Sequence, residues 1–252
     1  MHINIGDFMK ILITGGSSGI GFLTGCVLAD RGHDVILTTK TEEEVKNVKE
    51  KVSLLDLSLS VVKLDITDNS DIKNIKNVLS SVDVLFLHAG IGNVGLLSDM
   101  DICLVKDTFE VNVFANLKLI KEFLIYGNKK VVMTSSMLSG KTLPFFGSYS
   151  MSKSCIDIMI KTLRKENIFN NNQFILIKPG AYHTGFNQYM VLSGEKSYLR
   201  SSTIGILYKL FLLLEEKSLN SIVYKIVIAI EKGDFCCYWA PFHQRLLMSL
   251  IN

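Results

Sequence analysis

Short apolar runs alternate along the chain with longer segments in which apolar residues recur at helical spacing. The strand-like runs are Lys10–Thr14, Asp34–Thr38, Ser60–Leu64, Val84–Leu87, Lys130–Thr134, Phe174–Ile177 and Phe235–Trp239. Val84-Leu85-Phe86-Leu87 has no polar face, as a central parallel strand requires. Ile20, Phe22, Leu23, Val27 and Leu28 predict a helix with one apolar side, stopped by Asp30-Arg31-Gly32. Ile72, Ile75, Val78 and Leu79 predict another, capped by Thr67 or Asp68. Further helices are predicted over 42–52, 101–126, 148–167, 218–230 and 241–250. Residues 91–100 read as a loop, and 185–203 show no clear period. Strand followed by helix, repeated, argues for βαβ units in one Rossmann-type α/β domain over 1–252. Its doubly wound, mostly parallel sheet has about seven strands, with ligands at their carboxyl ends.

The first strand–helix junction is Thr14-Gly15-Gly16-Ser17-Ser18-Gly19-Ile20-Gly21. Gly15 permits a sharp turn, and Gly19 and Gly21 allow close approach of backbone and ligand. The N–H groups at the start of the helix then face an anion such as a pyrophosphate.

Composition narrows the function. A chain of 252 residues that is 48% hydrophobic builds a substantial core. A formal charge of +3 without charge blocks gives no support for nucleic-acid binding. Five scattered cysteines form no Cys-x-x-Cys pair and no metal-ligand pattern, which points to reduced thiols in a cytoplasmic protein. Cys236-Cys237 reads as part of a buried strand. No secretory signal is visible, and residues 1–8 read as a short extension or a product of start-site choice. The apolar run 204–214 contains Lys209 and is too short to span a bilayer; it and the terminal helix could rest on a membrane surface, but membrane association is not the expected reading.

Tyr149 and Lys153 share one face of a predicted helix. A free tyrosine has a pKa of about 10, and a neighbouring ammonium is expected to lower it, making Tyr149 a proton donor and acceptor. Ser136 ends a strand, where its hydroxyl can donate to a substrate carbonyl oxygen. His88 reads as a satisfied structural histidine rather than an acid–base group, and His183 lies in a substrate-facing loop.

The glycine spacing, Ser136 with Tyr149-x-x-x-Lys153, Asn112, and Pro179-Gly180 with Thr184 together resemble the classical branch of the short-chain dehydrogenases/reductases. The resemblance runs from the first strand to beyond the sixth. It implies hydride transfer between a nicotinamide cofactor and a carbonyl or secondary alcohol, without a metal. It implies catalytic roles for Asn112, Ser136, Tyr149 and Lys153, and its spacing selects Ser136 over Ser135. Asn112 would hold a water on the proton path, and Lys153 would also bind the nicotinamide ribose. Cofactor contacts would fall on Gly15, Ser17, Ser18, Gly19, Ile20, Gly21, Thr39, Lys40, Asp65, Ile66, Ala89, Gly90, Tyr149, Lys153, Pro179, Gly180 and Thr184. The chain departs from the family at His88, where an asparagine is usual.

At the end of strand two Thr39 stands where NAD-preferring members carry an acid, and Lys40 follows. NADP(H) is therefore the expected cofactor, with NAD(H) possible. Ser18 lacks the basic side chain common in NADP-preferring members, and Glu42 and Glu43 soften the local positive field. Apolar Phe186, Tyr189, Met190, Val191, Leu192, Ile204, Ile206 and Leu207 mark 185–214 as a substrate-covering segment suited to a hydrophobic group, unless they pack in the core or an interface. Phe114, Leu117, Ile156, Met159 and Ile160 exceed what one core face requires, which suggests a homodimer or homotetramer. A non-catalytic cofactor-sensing protein and a sugar-nucleotide epimerase or dehydratase are the alternatives. The intact Ser-Tyr-Lys set opposes the first, and the short C-terminal region opposes the second.

Overall fold

The computed structural model describes residues 8–55, 57, 59–167, 171–197, 199–233 and 236–249. Among them β1 (Lys10–Ile13), β2 (Asp34–Thr39), β3 (Leu59–Lys63), β4 (Val84–Leu87), β5 (Lys130–Thr134), β6 (Gln173–Pro179) and β7 (Cys236–Trp239) form one sheet. Its order is β3-β2-β1-β4-β5-β6-β7 and every pairing is parallel. Strand order reverses between β1 and β4, so the crevice between their carboxyl ends is the natural ligand site.

The helices are α1 (Gly19–Asp30), α2 (Glu42–Ser53), α3 (Asn69–Ser81), α4 (Ile102–Phe109), α5 (Asn116–Leu124), α6 (Gly147–Glu166), α7 (Phe186–Leu192), α8 (Ser201–Leu214), α9 (Asn220–Lys232) and α10 (Phe242–Ser249). Alternation along the strands sorts the core into two layers. Ile11, Ile13, Val35, Leu37, Val84 and Phe86 pack with α1, α2 and α9. Leu12, Ile36, Leu85, Leu87, Val131 and Met133 pack with α3, α5 and α6. A third cluster at the carboxyl end joins Met137, Leu138, Phe146 and Tyr149 to Met190, Val191, Ile204 and Leu207.

Three local expectations change. The helix expected over 101–126 is interrupted by a π-helical stretch, Glu110–Ala115, which contains Asn112. The buried face of α1 is Ile20, Gly21, Thr24, Gly25 and Leu28, while Leu23 and Val27 lie outward. Gly25 replaces bulk with closeness: a Cβ there would sit 2.5 Å from Leu37 Cδ2. Residues 185–203, without period in the sequence, contain α7, a 3₁₀ turn at Ser193–Ser197 and the start of α8. Of the expected last strand, residue 235 lies outside the described residues, as do residues 1–7, residue 250 of the last helix and the side chains of Cys236 and Cys237. Cys26, Cys103 and Cys155 are free thiols. Among the described residues no helix is long and apolar enough to cross a membrane.

Away from the crevice, the end of α1 is tied to α9. Arg31 Nε and Nη2 donate to the two oxygens of Glu231 at 2.6 and 2.9 Å, and His33 Nε2 lies 3.3 Å from Oε1. Burial pushes the Glu231 carboxyl up, but the bonds from Arg31 and His33 outweigh it and hold the group below its ordinary range. An acid depressed by folding adds stability above its unfolded pKa and loses it as pH falls through the folded value. Glu231→Gln should therefore cost roughly 1–3 kcal/mol at neutral pH. The gap to the parent should close as pH drops below about 4. Urea unfolding at pH 7 and in acid measures both, and equal stability at pH 7 would count against the network.

Candidate active site

The crevice is built from the turn after β1. Thr14, fully buried, accepts at Oγ1 from the N–H groups of His88 and Ala89 at 3.0 and 3.1 Å, joining the ends of β1 and β4. Gly15 has φ +71°, and a Cβ there would sit 2.9 Å from the Ala89 backbone. Gly21 meets Gly15 O: a Cβ would fall 2.5 Å from it and 2.9 Å from His88 Cδ2. Gly19, at φ +58°, faces Thr184, whose Cβ would lie 3.0 Å from an added methyl. Ser18 is the N-cap of α1 but gives no side-chain cap bond, which leaves the first-turn N–H groups to the crevice.

Two elements bring the polar set together. Thr134, Ser135 and Ser136 leave β5, and Tyr149 and Lys153 lie one turn apart on α6. All five line one cavity of about 710 Å³, which Gly15, Ser17, Ser18, Gly19, Ile20, Ala89, Gly90, Pro179, Gly180 and Thr184 also line. Ser136 Oγ accepts from Leu138 N–H at 3.1 Å, which holds the hydroxyl at the strand end. Lys153 Nζ donates to Thr134 O at 3.0 Å and stands 5.7 Å from the centre of the Tyr149 ring.

The electrostatics differ from the sequence expectation. Burial pushes the Tyr149 hydroxyl up to about 12, with the Ser136 hydrogen bond acting the other way. Desolvation outweighs that bond, so Tyr149 is a protonated phenol at neutral pH. Burial pushes Lys153 down to about 8, opposed by the charge of Asp157. Asp157 is held by Ser135 Oγ at 2.5 Å and Lys178 Nζ at 2.5 Å. Ser135, set aside in the sequence, thus has a supporting place.

Asn112 lies behind the cavity, fully buried. Its Oδ1 accepts from Ile91 N–H at 2.9 Å, and its Nδ2 donates to Ile91 O at 2.8 Å and Ser152 Oγ at 3.0 Å. The side chain, carried on the π stretch, pins the loop after Gly90. His88 sits under the glycine turn with Nδ1 3.0 Å from Thr134 Oγ1. Burial, then the Lys153 charge, lowers His88 to about 4, so the ring is neutral.

At the far end the structure separates residues that the sequence grouped. Thr39, Lys40, Asp65 and Ile66 do not line the cavity. Thr39 and Ile66 are buried. Lys40 Nζ is 3.5 Å from Asp65 Oδ2 with its side chain 68% exposed. Gly21, too, lies outside the lining, as a packing glycine. Glu44, missed in the sequence, lines the cavity and accepts at Oε2 from the N–H groups of Lys40 at 2.8 Å and Thr41 at 3.2 Å. Its signal was a capping box with Thr41.

The other end of the cavity is apolar, with Met137, Leu138, Phe146, Phe186, Met190 and Phe211 on its walls. Leu192 and Ile206, expected to face substrate, are exposed. His183 is held by Glu215 at 2.8 Å.

Residues 9–192 match the family model described as short chain dehydrogenase. The uncharacterized oxidoreductase YusZ of Bacillus subtilis is 29% identical over 182 residues, which cover 69% of this chain and 65% of that protein. A short-chain dehydrogenase/reductase from Burkholderia phymatum, solved with NAD, superposes with a TM-score of 0.82 at 19% identity, covering 98% of this chain and 93% of that one. A short-chain dehydrogenase from Sphingobium yanoikuyae, solved with NADPH, gives 0.75 at 17% identity, covering 96% and 92%.

Proposed function

The chain belongs to the short-chain dehydrogenase/reductase family, and from that premise we propose that it is an NAD(P)-dependent oxidoreductase interconverting a carbonyl and a secondary alcohol. The observation that carries this reading is the convergence of Ser136, Tyr149 and Lys153 beside the glycine turn in one cavity. The residues fit a nicotinamide dinucleotide: the glycines leave a cradle that a Cβ would fill, and the uncapped start of α1 suits a pyrophosphate. When bound, that cofactor supplies or accepts the hydride.

The protein's own residues manage the oxygen and its proton. Ser136 orients the carbonyl oxygen and donates to it as negative charge develops. Tyr149, kept protonated by burial, gives its proton to that oxygen in reduction and takes it back in oxidation. Lys153 places a positive charge beside the phenolate so formed. The apolar walls suit a substrate with a hydrophobic portion, and segment 185–214 covers it. We take this whole unit, 1–252, as a single cytoplasmic catalytic domain.

Tyr149→Phe should retain cofactor binding and lose roughly 10²–10⁴-fold in turnover. Near-normal kcat in a panel of ketones and aldehydes would defeat the proposed role. Tight cofactor binding with no turnover by the parent on that panel would instead favour a sensing protein. Carbonyl reduction should fall as pH rises through about 8, because Lys153 loses its proton there. A pH profile of kcat/KM for the free enzyme reads this limb, and a flat profile to pH 10 would remove Lys153 from the mechanism.

We further propose NADP(H) as the preferred form. No carboxylate stands at position 39, and Lys40 makes only a surface pair with Asp65, of the kind worth little. Lys40 can leave that pair for a 2′-phosphate, while Glu44 opposes the same phosphate. Solved neighbours carry NAD in one case and NADPH in another. Lys40→Asp should weaken NADPH more than NADH at fixed ionic strength. Equal weakening, or tighter NADH than NADPH in the parent, would overturn the preference.

A two-fold homodimer or homotetramer completes the proposal. Ile156 and Ile160, expected at an interface, are core residues, and Leu117 and Met159 are half-buried. Phe114 is exposed on the π stretch, as are Met151 and Ile158 on α6. These apolar groups suit pairing of this face with itself. Sedimentation at micromolar concentration should show an even-numbered oligomer that Phe114→Asp weakens. A monomer throughout would contradict it.

A further inference from the structure

One buried amide at the cavity has no part in the chemistry described so far. Gln244, on α10, is 2% exposed and reaches Ala181, 63 residues away in the chain. Its Oε1 accepts from Ala181 N–H at 2.8 Å, and its Nε2 donates to Ala181 C=O at 2.8 Å. The same Nε2 donates to Leu214 C=O, at the end of α8, at 2.8 Å. Both donors and the acceptor of the amide are engaged, so the side chain has a single orientation. Exchanging oxygen and nitrogen would set donor against donor at Ala181 N–H and oxygen against two carbonyls.

The amide also touches the preceding residue. A Cβ on Gly180 would fall 2.2 Å from Gln244 Oε1. Pro179, Gly180, Ala181 and Gln244 all line the cavity that holds Tyr149 and Lys153. Downstream, Thr184 abuts Gly19 in the glycine turn. A rigid path therefore runs from α10 through Ala181 to the turn that faces the glycine loop. Leu214 C=O joins that path to the end of α8. There Glu215, with its side chain 1% exposed, accepts from His183 Nδ1 at 2.8 Å, Asn187 Nδ2 at 2.7 Å and Gln188 Nε2 at 2.7 Å.

We propose that Gln244 is a positioning residue of the reaction site. Its amide sets the Gly180–Ala181 turn at the height that receives the cofactor, and fastens that turn to the end of the covering helix. A buried donor–acceptor pair suits this task because it fixes one backbone unit in both directions, which apolar packing cannot do. The proposal rests on the oxidoreductase reading for its consequence in catalysis, but not for the clamp itself.

The test compares the parent with Gln244→Met, which keeps length and removes every hydrogen bond, and Gln244→Glu, which keeps the acceptor and loses both donors. Amide hydrogen exchange over 180–186 is read first, without cofactor, and should accelerate in both variants. NADPH and NADH dissociation constants should rise roughly tenfold, the scale of one or two lost hydrogen bonds. KM for the carbonyl should rise with them, while kcat at saturation stays within about threefold. Unchanged exchange, or a lowered Tm with unchanged dissociation constants, overturns the proposal. If Gln244→Met does not fold, Gln244→Glu decides on the same readouts. A parent that binds no nicotinamide dinucleotide defeats the oxidoreductase reading and the positioning role with it, while faster exchange would leave the clamp itself standing.

Discussion

The close approach of backbone at the end of β1 is the constraint on which the rest depends. Thr14 Oγ1 holds two successive N–H groups after β4, and Gly15 lies against Ala89 with no room for a side chain. This joins the two strands between which the sheet order reverses. The crevice opens there because helices leave toward opposite faces on its two sides. Gly21 then lets α1 start directly over Gly15 O, which aims the helix N-terminus along the crevice. A side chain at either glycine would widen the junction, and the cavity would lose its floor.

Burial supplies the second organising force. Tyr149 and Lys153 are both nearly inaccessible, and each moves toward its uncharged form. The result is a phenol that keeps its proton and an ammonium close to release. Asp157 moderates Lys153 without touching the cavity, since Ser135 and Lys178 occupy its oxygens. His88, neutral and bonded to Thr134, adds no competing charge. The site therefore separates the proton carrier from the groups that tune it. Those groups lie beneath it in the sheet and in α6.

The carboxyl-end cover is built on other terms. Its apolar side chains pack on Met137, Leu138, Phe146 and Tyr149 at the carboxyl end of the sheet, and polar ties run through Gln244, Glu215 and the backbone bridge between Tyr182 and Glu216. Apolar contact tolerates sliding, whereas hydrogen bonds of fixed direction do not. The cover is held in register by the second while the first shapes what it encloses.

Much of this was legible in the chain. The parallel sheet, its strands and most helices follow from apolar runs and helical spacing, because burial on one face or two leaves a local period. Ser136, Tyr149, Lys153 and the glycine turn were legible because close approach and a shared helix face need particular residues at particular spacing. Other features had no local signature. The outward turn of Leu23 and Val27 was decided by Leu37, which meets Gly25 across the layer. The π stretch at Asn112 is tied to Ile91 and Ser152. The raised Tyr149 hydroxyl follows from how deeply it is covered, whereas sequence spacing alone reveals only the neighbouring ammonium. Glu44 at the cavity and Gln244 on Ala181 depend on contacts across the fold. Most elements and chemistry-bearing residues were readable in the chain because they rest on local period and spacing. Their protonation, their partners and their sharing of one cavity were not, because desolvation and directed hydrogen bonds arise between segments distant in the chain.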